Sequence, residues 1–600
     1  MFVRCLKVLL SLVVLCVALV GPRSASAADP NSKIDWRGWD DGVFERAKKE
    51  RKLVLLNLEA VWCHWCHVME QETYADPEVQ ALLAKHYITL KVDQDSRPDL
   101  SNRYREYGWP ATIFFGPSGV ELAKRAGFIE PDEMKKIIRA TVADPKTPEK
   151  DGSTTVVEAA ATGILPDAMR TKLRERHYAA FDQDFAGLKV SHKFLDADSV
   201  DYSLLESLSG SVADSQMAFR TLEANLALVD PIWGGVYQYS TGGRWDRAHF
   251  EKIMSTQATN LRFYSIAGRR SKEPRYLQAA MQVRRYLLNF LRHPDGPFYT
   301  SQDADAVKGQ KATEYFALND QERRKIGIPK IDTHIYSREN GWAIASLTWL
   351  YSAMTDPEVL ADAVTALNWI KAHRSLPEGG FRHDEVDVSG PYLGDSLAMG
   401  EALLAVYATT ADRAWLKDAE QTMSFIDRTF RAADGGFYTT KPSVKSPLAP
   451  VVERAENIGV CRFANLLSHY LGKEELKQTA EHAMRVLATE RMAFSNITEA
   501  GILLCDYELR HAPMHVTVVA AKDDPRGLGL FTAALKIPVH YRRIEWWDRS
   551  EGPLPNSDVK YPPLPKAAAF LCTNKRCSLP LFDEAALTTT VAKFLNPQQK

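Results

Sequence analysis

At 600 residues the chain is far longer than one hydrophobic core supports, and about 100–200 residues per domain sets an expectation of three or four units. Its 45% hydrophobic and 25% charged residues are ordinary for a globular protein, and a net charge of −1 offers no electrostatic basis for nucleic-acid or anionic-membrane partners. Eight cysteines are too few for a disulfide-built scaffold, so their placement matters more than their number.

In chain order, Arg4 and Lys7 precede the apolar run Val8 to Val20, followed by Pro22, Ser24 and the small triplet Ala25-Ser26-Ala27. This is the layout of a secretory signal over residues 1–27, and it predicts an exported chain, periplasmic or secreted. The run is short for the ~20 residues of a spanning helix, and no later segment is apolar enough, so no membrane partner is expected after signal removal.

Residues 30–145 alternate helix and strand, which argues for an α/β layer fold. Asp40 to Lys52 reads as a helix, 53–60 as an apolar strand, Pro77 to Lys85 as a helix and Tyr87 to Val92 as a strand. The strand at 53–60 delivers Trp62-Cys63-His64-Trp65-Cys66-His67 to the start of a helix running through Met69. A Cys-x-x-Cys so placed faces free amide donors and the positive end of the helix dipole, which favours thiolate. Pro110 heads the apolar strand Ala111 to Phe115 and is a candidate cis proline beside a substrate chain.

Three readings fit the motif. In the redox reading, Cys63 is an exposed nucleophile and Cys66 resolves its mixed disulfide. His64 then supports the thiolate, and Trp62 and Trp65 form an apolar rim for a protein thiol or disulfide substrate. The motif's setting resembles the thioredoxin fold, and that resemblance implies a buried acid six positions before the first cysteine; here that position is Asn57, which does not titrate, leaving Glu59 on the same strand face as the substitute. In the second reading, Cys63-x-x-Cys66-His67 attaches a c-type haem. In the third, it is a static disulfide or a metal site with His67, although no second Cys/His pair nearby closes a tetrahedral zinc site. The redox reading leads, with no cofactor and no metal expected.

The run Trp62 to Glu70, with Glu72, Asp76, Val79 and Val92-Asp93-Gln94-Asp95-Ser96-Arg97-Pro98-Asp99, resembles the thioredoxin-like domain of the spermatogenesis-associated protein family. The resemblance implies that such a domain is paired with a helical toroid.

A linker is expected over 146–165. From 166 to 510 the pattern becomes helical, with amphipathic pairs at 250–269 and 273–293, 340–354 and 356–374, 395–409 and 413–432, and 456–472 and 474–493. Gly234-Gly235-Val236-Tyr237, Asp295-Gly296-Pro297-Phe298-Tyr299, Gly379-Gly380-Phe381 and Gly435-Gly436-Phe437-Tyr438 punctuate these pairs. Five or six hairpins at this spacing predict a closed (α/α)6 toroid, which resembles the six-hairpin glycosidase and sugar 2-epimerase barrels. His249, Glu251, Asp303, Asp305, His383, Asp384 and Asp395 adjoin the turns and are expected to ring one mouth. There they either bind a carbohydrate, with paired acids or histidines as general acid and base, or hydrogen-bond the turns.

Residues 511–600 read as a small α/β segment, with a strand at Met514 to Ala521, a helix at Leu528 to Leu535 and a strand near Val539 to Ile544. Cys572 and Cys577 make either a local disulfide or a second thiol pair exchanging with Cys63; Cys461 and Cys505 lie in apolar helices as core residues. The predicted whole is a multidomain α/β plus all-α chain: an exported thiol-disulfide oxidoreductase fused to a toroid. A carbohydrate-active enzyme with a non-catalytic thioredoxin-like module is the alternative.

Overall fold

The computed structural model describes residues 34–147, 158–387, 389–442, 448–573 and 576–595. The proposed signal segment lies outside them. Among the described residues no helix is long and apolar enough to cross a membrane.

The N-terminal domain is a five-stranded sheet of order β1-β3-β2-β4-β5, formed by β1 (Trp36–Arg37), β2 (Leu53–Glu59), β3 (Tyr87–Asp93), β4 (Ala111–Phe115) and β5 (Glu121–Ala126). β1, β3 and β2 run parallel; β4 runs antiparallel to β2, and β5 antiparallel to β4. Five helices flank it: α1 (Val43–Glu50), α2 (His64–Glu72), α3 (Pro77–His86), α4 (Pro98–Tyr104) and α5 (Pro131–Ala143). β2 is apolar from Leu53 to Leu58 except at Asn57 because both its faces are covered. Leu53 and Leu55 pack with Tyr87 and Phe114 on one side, while Val54, Leu56 and Leu58 pack with Ile88, Leu90 and Ile113 on the other. α3 starts where Asp76 accepts from the amides of Glu78 and Val79, with Pro77 at the first helical position.

The middle of the chain is a closed double ring of helices. The inner ring runs Ala197–Glu206, Met254–Ser271, Ser337–Met354, Leu393–Thr410, Arg454–Leu471 and Ala500–Arg510, packed in succession from the second helix round to the sixth and from the sixth back onto the first. An ion pair from Arg262 to Asp201 at 3.0 Å ties the second helix to the first. Val212–Asn225, Pro274–Tyr286, Pro357–Arg374, Arg413–Phe430 and Glu474–Leu487 pack outside their hairpin partners; Asp167–Ala179 reaches back to cover Ala500–Arg510 as the sixth outer helix. Part of the expected linker belongs to this ring, since Ala160 donates to the Arg485 carbonyl and Leu165 is buried in the toroid core.

A repeat too dispersed to see in the sequence holds the ring. Four inner helices have 18 residues. In each, the fourth residue accepts a backbone N–H from the glycine-aromatic turn: Gln257 from Val236, Asn340 from Phe298, Ser396 from Phe381 and Asn457 from Phe437. The turns need glycine where they pass under the outer helices. Gly235 has φ +74°, and a Cβ there would lie 2.7 Å from the Tyr286 ring.

The C-terminal segment is a four-stranded sheet in the order Arg542–Trp547, Met514–Val519, Ala568–Thr573, Arg576–Cys577, packed on helices Pro525–Leu535 and Glu584–Leu595. The second strand begins three residues later than the sequence pattern suggests, because Ile537 and Val539 are spent filling the core before it. The multidomain α/β plus all-α architecture therefore holds: a thioredoxin-like domain, a helical toroid and a small α/β unit.

Candidate functional site

β2 ends at Glu59, and the chain turns so that Cys63 becomes the N-cap of α2, its sulfur accepting from the Cys66 amide at 3.2 Å. Cys63 and Cys66 form a disulfide, with Cα atoms 5.3 Å apart. The Trp109–Pro110 peptide is cis, and Trp109 packs beside the pair. Asp93 accepts from the Val61 amide and Asp95 from Trp62 Nε1 at 2.7 Å, which fixes the approach to the helix.

The expectation of an exposed Cys63 is overturned. Cys63 and Cys66 are each only 4% exposed, because Ile253 of the toroid packs on the same apolar cluster and the Trp62 carbonyl accepts from the Ala304 amide. Trp62 is buried as well; only Trp65, at 43% exposure, remains a rim aromatic, leaning on Phe128. The thioredoxin-like domain sits with α2 down on the toroid mouth.

The mouth residues divide into two groups, both facing that domain. In the first, Asp305 accepts from His64 Nδ1 at 2.8 Å, His67 Nδ1 at 3.0 Å and the Gly309 amide at 2.8 Å. Burial pushes its carboxyl up, but the bonds from His64 and His67 outweigh this and hold it at about 2, so it is an acceptor and both rings donate. The same bond raises the His64 pKa. Asp305 thereby offsets part of the positive charge His64 was expected to lend Cys63. Burial raises Asp303 to about 6 and Glu251 to about 7. His249 stacks on Tyr239, and burial together with nearby His64 lowers it to about 4.

In the second group, His383 donates from Nε2 to the Asp95 carbonyl at 2.7 Å and from Nδ1 to Asp395 at 2.9 Å. Burial opposes its charge, yet Asp395 wins and raises it to about 9. Asp384 stays off this cluster, on Arg374. Asn102 reaches Glu456 at 3.0 Å, and Arg103 the Ala449 carbonyl, from the same docked face. The expected open carbohydrate mouth is thus filled by the chain's own domain.

One alternative reading falls away. A c-type haem needs both thiols free, and here the two sulfurs are joined. Glu59 is largely buried, raised by desolvation, and engaged with Asn57 and with Lys91, which also pairs with Glu70. Asp95, which joins Trp62 to the mouth, is the functional position that residue chemistry did not single out; its signal was its place in the Asp93-Gln94-Asp95 run. Cys572 and Cys577 are directly opposed across an antiparallel ladder and form a disulfide, while Cys461 and Cys505 are buried and free.

Residues 26–142 match the family model described as Thioredox_DsbH, a protein of unknown function, DUF255. Human spermatogenesis-associated protein 20 is 28% identical over 318 residues, 47% of this chain and 40% of that protein. Over 47% of its length the chain is thus similar to the spermatogenesis-associated protein family. The match spans less than half the length of that relative. Over 107 residues, 16% of this chain and 18% of the relative, the chain is 36% identical to thiol:disulfide interchange protein DsbD 1 of Pseudomonas aeruginosa. A sugar epimerase from a ruminal bacterium resembles it over 53% of this chain and 85% of its own, with 12% identity and a TM-score of 0.42. The toroid assignment rests on the ring of helix contacts rather than on that likeness.

Proposed function

We propose that this protein is a thiol-disulfide oxidoreductase acting on protein thiols, with Cys63 as nucleophile and Cys66 as resolving thiol. The observation that carries the reading is a disulfide capping the N-terminus of α2, where amide donors and the helix dipole favour a Cys63 thiolate once reduced. The similarity to a thiol:disulfide interchange protein supports it. In the reducing direction, the Cys63 thiolate attacks a substrate disulfide, forming a mixed disulfide and releasing one substrate thiolate. Cys66, as thiolate, then attacks Cys63 sulfur, releasing the second substrate thiolate and restoring the protein disulfide; two electrons pass to the substrate and its two thiolates take up protons.

Burial of the sulfurs adds a condition. A protein substrate reaches Cys63 only when α2 parts from the mouth, breaking the His64–Asp305, His67–Asp305 and His383–Asp95 bonds. Bonds involving charged groups contribute roughly 1.5–3 kcal/mol each, so the toroid acts as a gate on exchange. The test is insulin or dithio-dye reduction by the pre-reduced chain. Cys63→Ser should be inactive, and Asp305→Ala should be faster than wild type. Wild type and Asp305→Ala both running no faster than Cys63→Ser removes the assignment.

The reading places this chemistry outside the cytoplasm, on the strength of the apolar run and the Ala25-Ser26-Ala27 triplet. N-terminal sequencing should find mature protein beginning at Ala28 in the exported fraction; intact Met1 in the cytosol would contradict it.

A further inference from the structure

We infer that His67 and Asp303, with Glu251 as a third donor and Asp305 orienting His67 from behind, form a binding site for one divalent transition-metal ion, bridging α2 and the toroid mouth. One donor atom from each of His67, Asp303 and Asp305 lies within 4.8 Å of the others. His67 Nε2 stands 3.6 Å from Asp303 Oδ2, beyond hydrogen-bond range. It is close to the separation of about 3.4 Å between two ligands each about 2.1 Å from a tetrahedral zinc ion. Asp305 holds the His67 ring through Nδ1 from behind, leaving Nε2 for an ion in the usual carboxylate–histidine–metal arrangement.

Glu251 supplies the second, independent observation. Strands Lys252–Ile253 and Ser301–Gln302 are antiparallel, with Lys252 opposite Gln302 and Ile253 opposite Ser301. Extending that register by one residue sets Glu251 directly across from Asp303. Lys252 turns the other way, into the toroid core, where it meets Asp230 at 2.8 Å. Glu251 is 3% exposed, and its Oε2 has no hydrogen-bond partner. Like charges directly opposed on a ladder are unfavourable, and a buried carboxylate oxygen with no donor is costlier still. Three carboxylates here are faced by His64, His67 and Lys330, and a dication supplies the missing positive charge along with a partner for the orphaned oxygen. One imidazole with carboxylates suits zinc or manganese rather than calcium, which takes oxygen ligands alone.

The inference stands apart from the redox reading, since it concerns the oxidised chain. The full-length protein, with both disulfides intact and stripped by chelator, is titrated calorimetrically with zinc and assayed for bound metal after dialysis. One zinc per chain is expected, with affinity falling at least tenfold in His67→Gln, Asp303→Asn and Glu251→Gln, and a zinc-dependent rise in melting temperature in wild type alone. Glu251→Gln, the mildest change, keeps the test valid if another variant misfolds. No retained zinc in wild type, or undiminished affinity in the folded variants, overturns the site.

Discussion

The two rims of the toroid are made by the same helices, yet they are chemical opposites. All the inner helices point their N-termini at the rim that receives the thioredoxin-like domain, and their first turns there carry Glu339, Asp395 and Glu456. The far rim collects the C-terminal ends, with Arg269, Arg270, His469 and Arg510 in the last turns. There the C-terminal unit brings donors to exposed carbonyls: Tyr541 to Glu508 and His511, Lys522 to Ala411, Asn556 to His469. Aligned helix dipoles favour acids at one end and cations at the other. What the difference teaches is that the acidic rim, far from being an empty sugar site, is matched to His64 and His67 of α2 through Asp305. The basic rim is a capped and largely apolar joint.

If the acidic rim is the functional one, the two disulfides should behave very differently. Cys63→Ser is expected to take disulfide turnover to background, whereas Cys572→Ser with Cys577→Ser should stay within about twofold of wild type, because that pair staples neighbouring strands far from the mouth. Loss of turnover in the second variant would break the comparison.

Next in size is a stability effect at the far rim. Arg543 is buried between Glu545 and Asp558. Arg543→Ala leaves Glu545 buried with only His515 beside it, a change expected to cost about 3–5 kcal/mol and to show as early unfolding of the C-terminal strands by hydrogen exchange.

The rims should also answer pH in opposite senses. His383 faces Asp395, Glu339, Arg338 and Asp387, and its folded pKa of about 9 exceeds its ordinary 6.5. Its contribution is therefore complete below pH 6.5 and lost as pH rises to 9. His540, facing Asp201, Arg262, Arg462 and Arg270, is depressed to about 4 by burial. Its site holds above pH 6.5 and weakens as pH falls towards 4, because the unfolded chain then binds the proton more readily. Melting curves of wild type and His383→Asn should converge towards pH 9; a gap that widens there would reverse the assignment.

The smallest effect sharpens where the docking energy lies. Arg105 pairs with Glu453 at 3.3 Å on exposed surface, and Arg105→Ala should change stability by no more than about 1 kcal/mol and leave exchange rates alone.

Much of this was legible locally. The apolar run at 53–58, the Asp76-Pro77 start of α3, the strand-heading Pro110 and the glycine-aromatic turns each act through neighbours a few residues away, and each appears as expected. The 18-residue inner helices were visible as amphipathic segments, but the role of their fourth residue was not, since Gln257, Asn340, Ser396 and Asn457 differ in side chain and share only a position. Glu59 was the natural substitute for Asn57 by strand alternation; that Lys91 would engage it depended on β3 lying beside β2.

By itself the sequence determined the redox motif, its place at a strand-to-helix junction and the succession of hairpins, because all of these follow from spacing along one segment. Only the tertiary structure decided that the motif would be covered and the mouth filled. The residues responsible are 241 apart for His64 and Asp305 and 288 apart for His383 and Asp95. Pairing at such distances is set by how whole domains bury surface and match charge, and leaves no pattern in the local order of side chains.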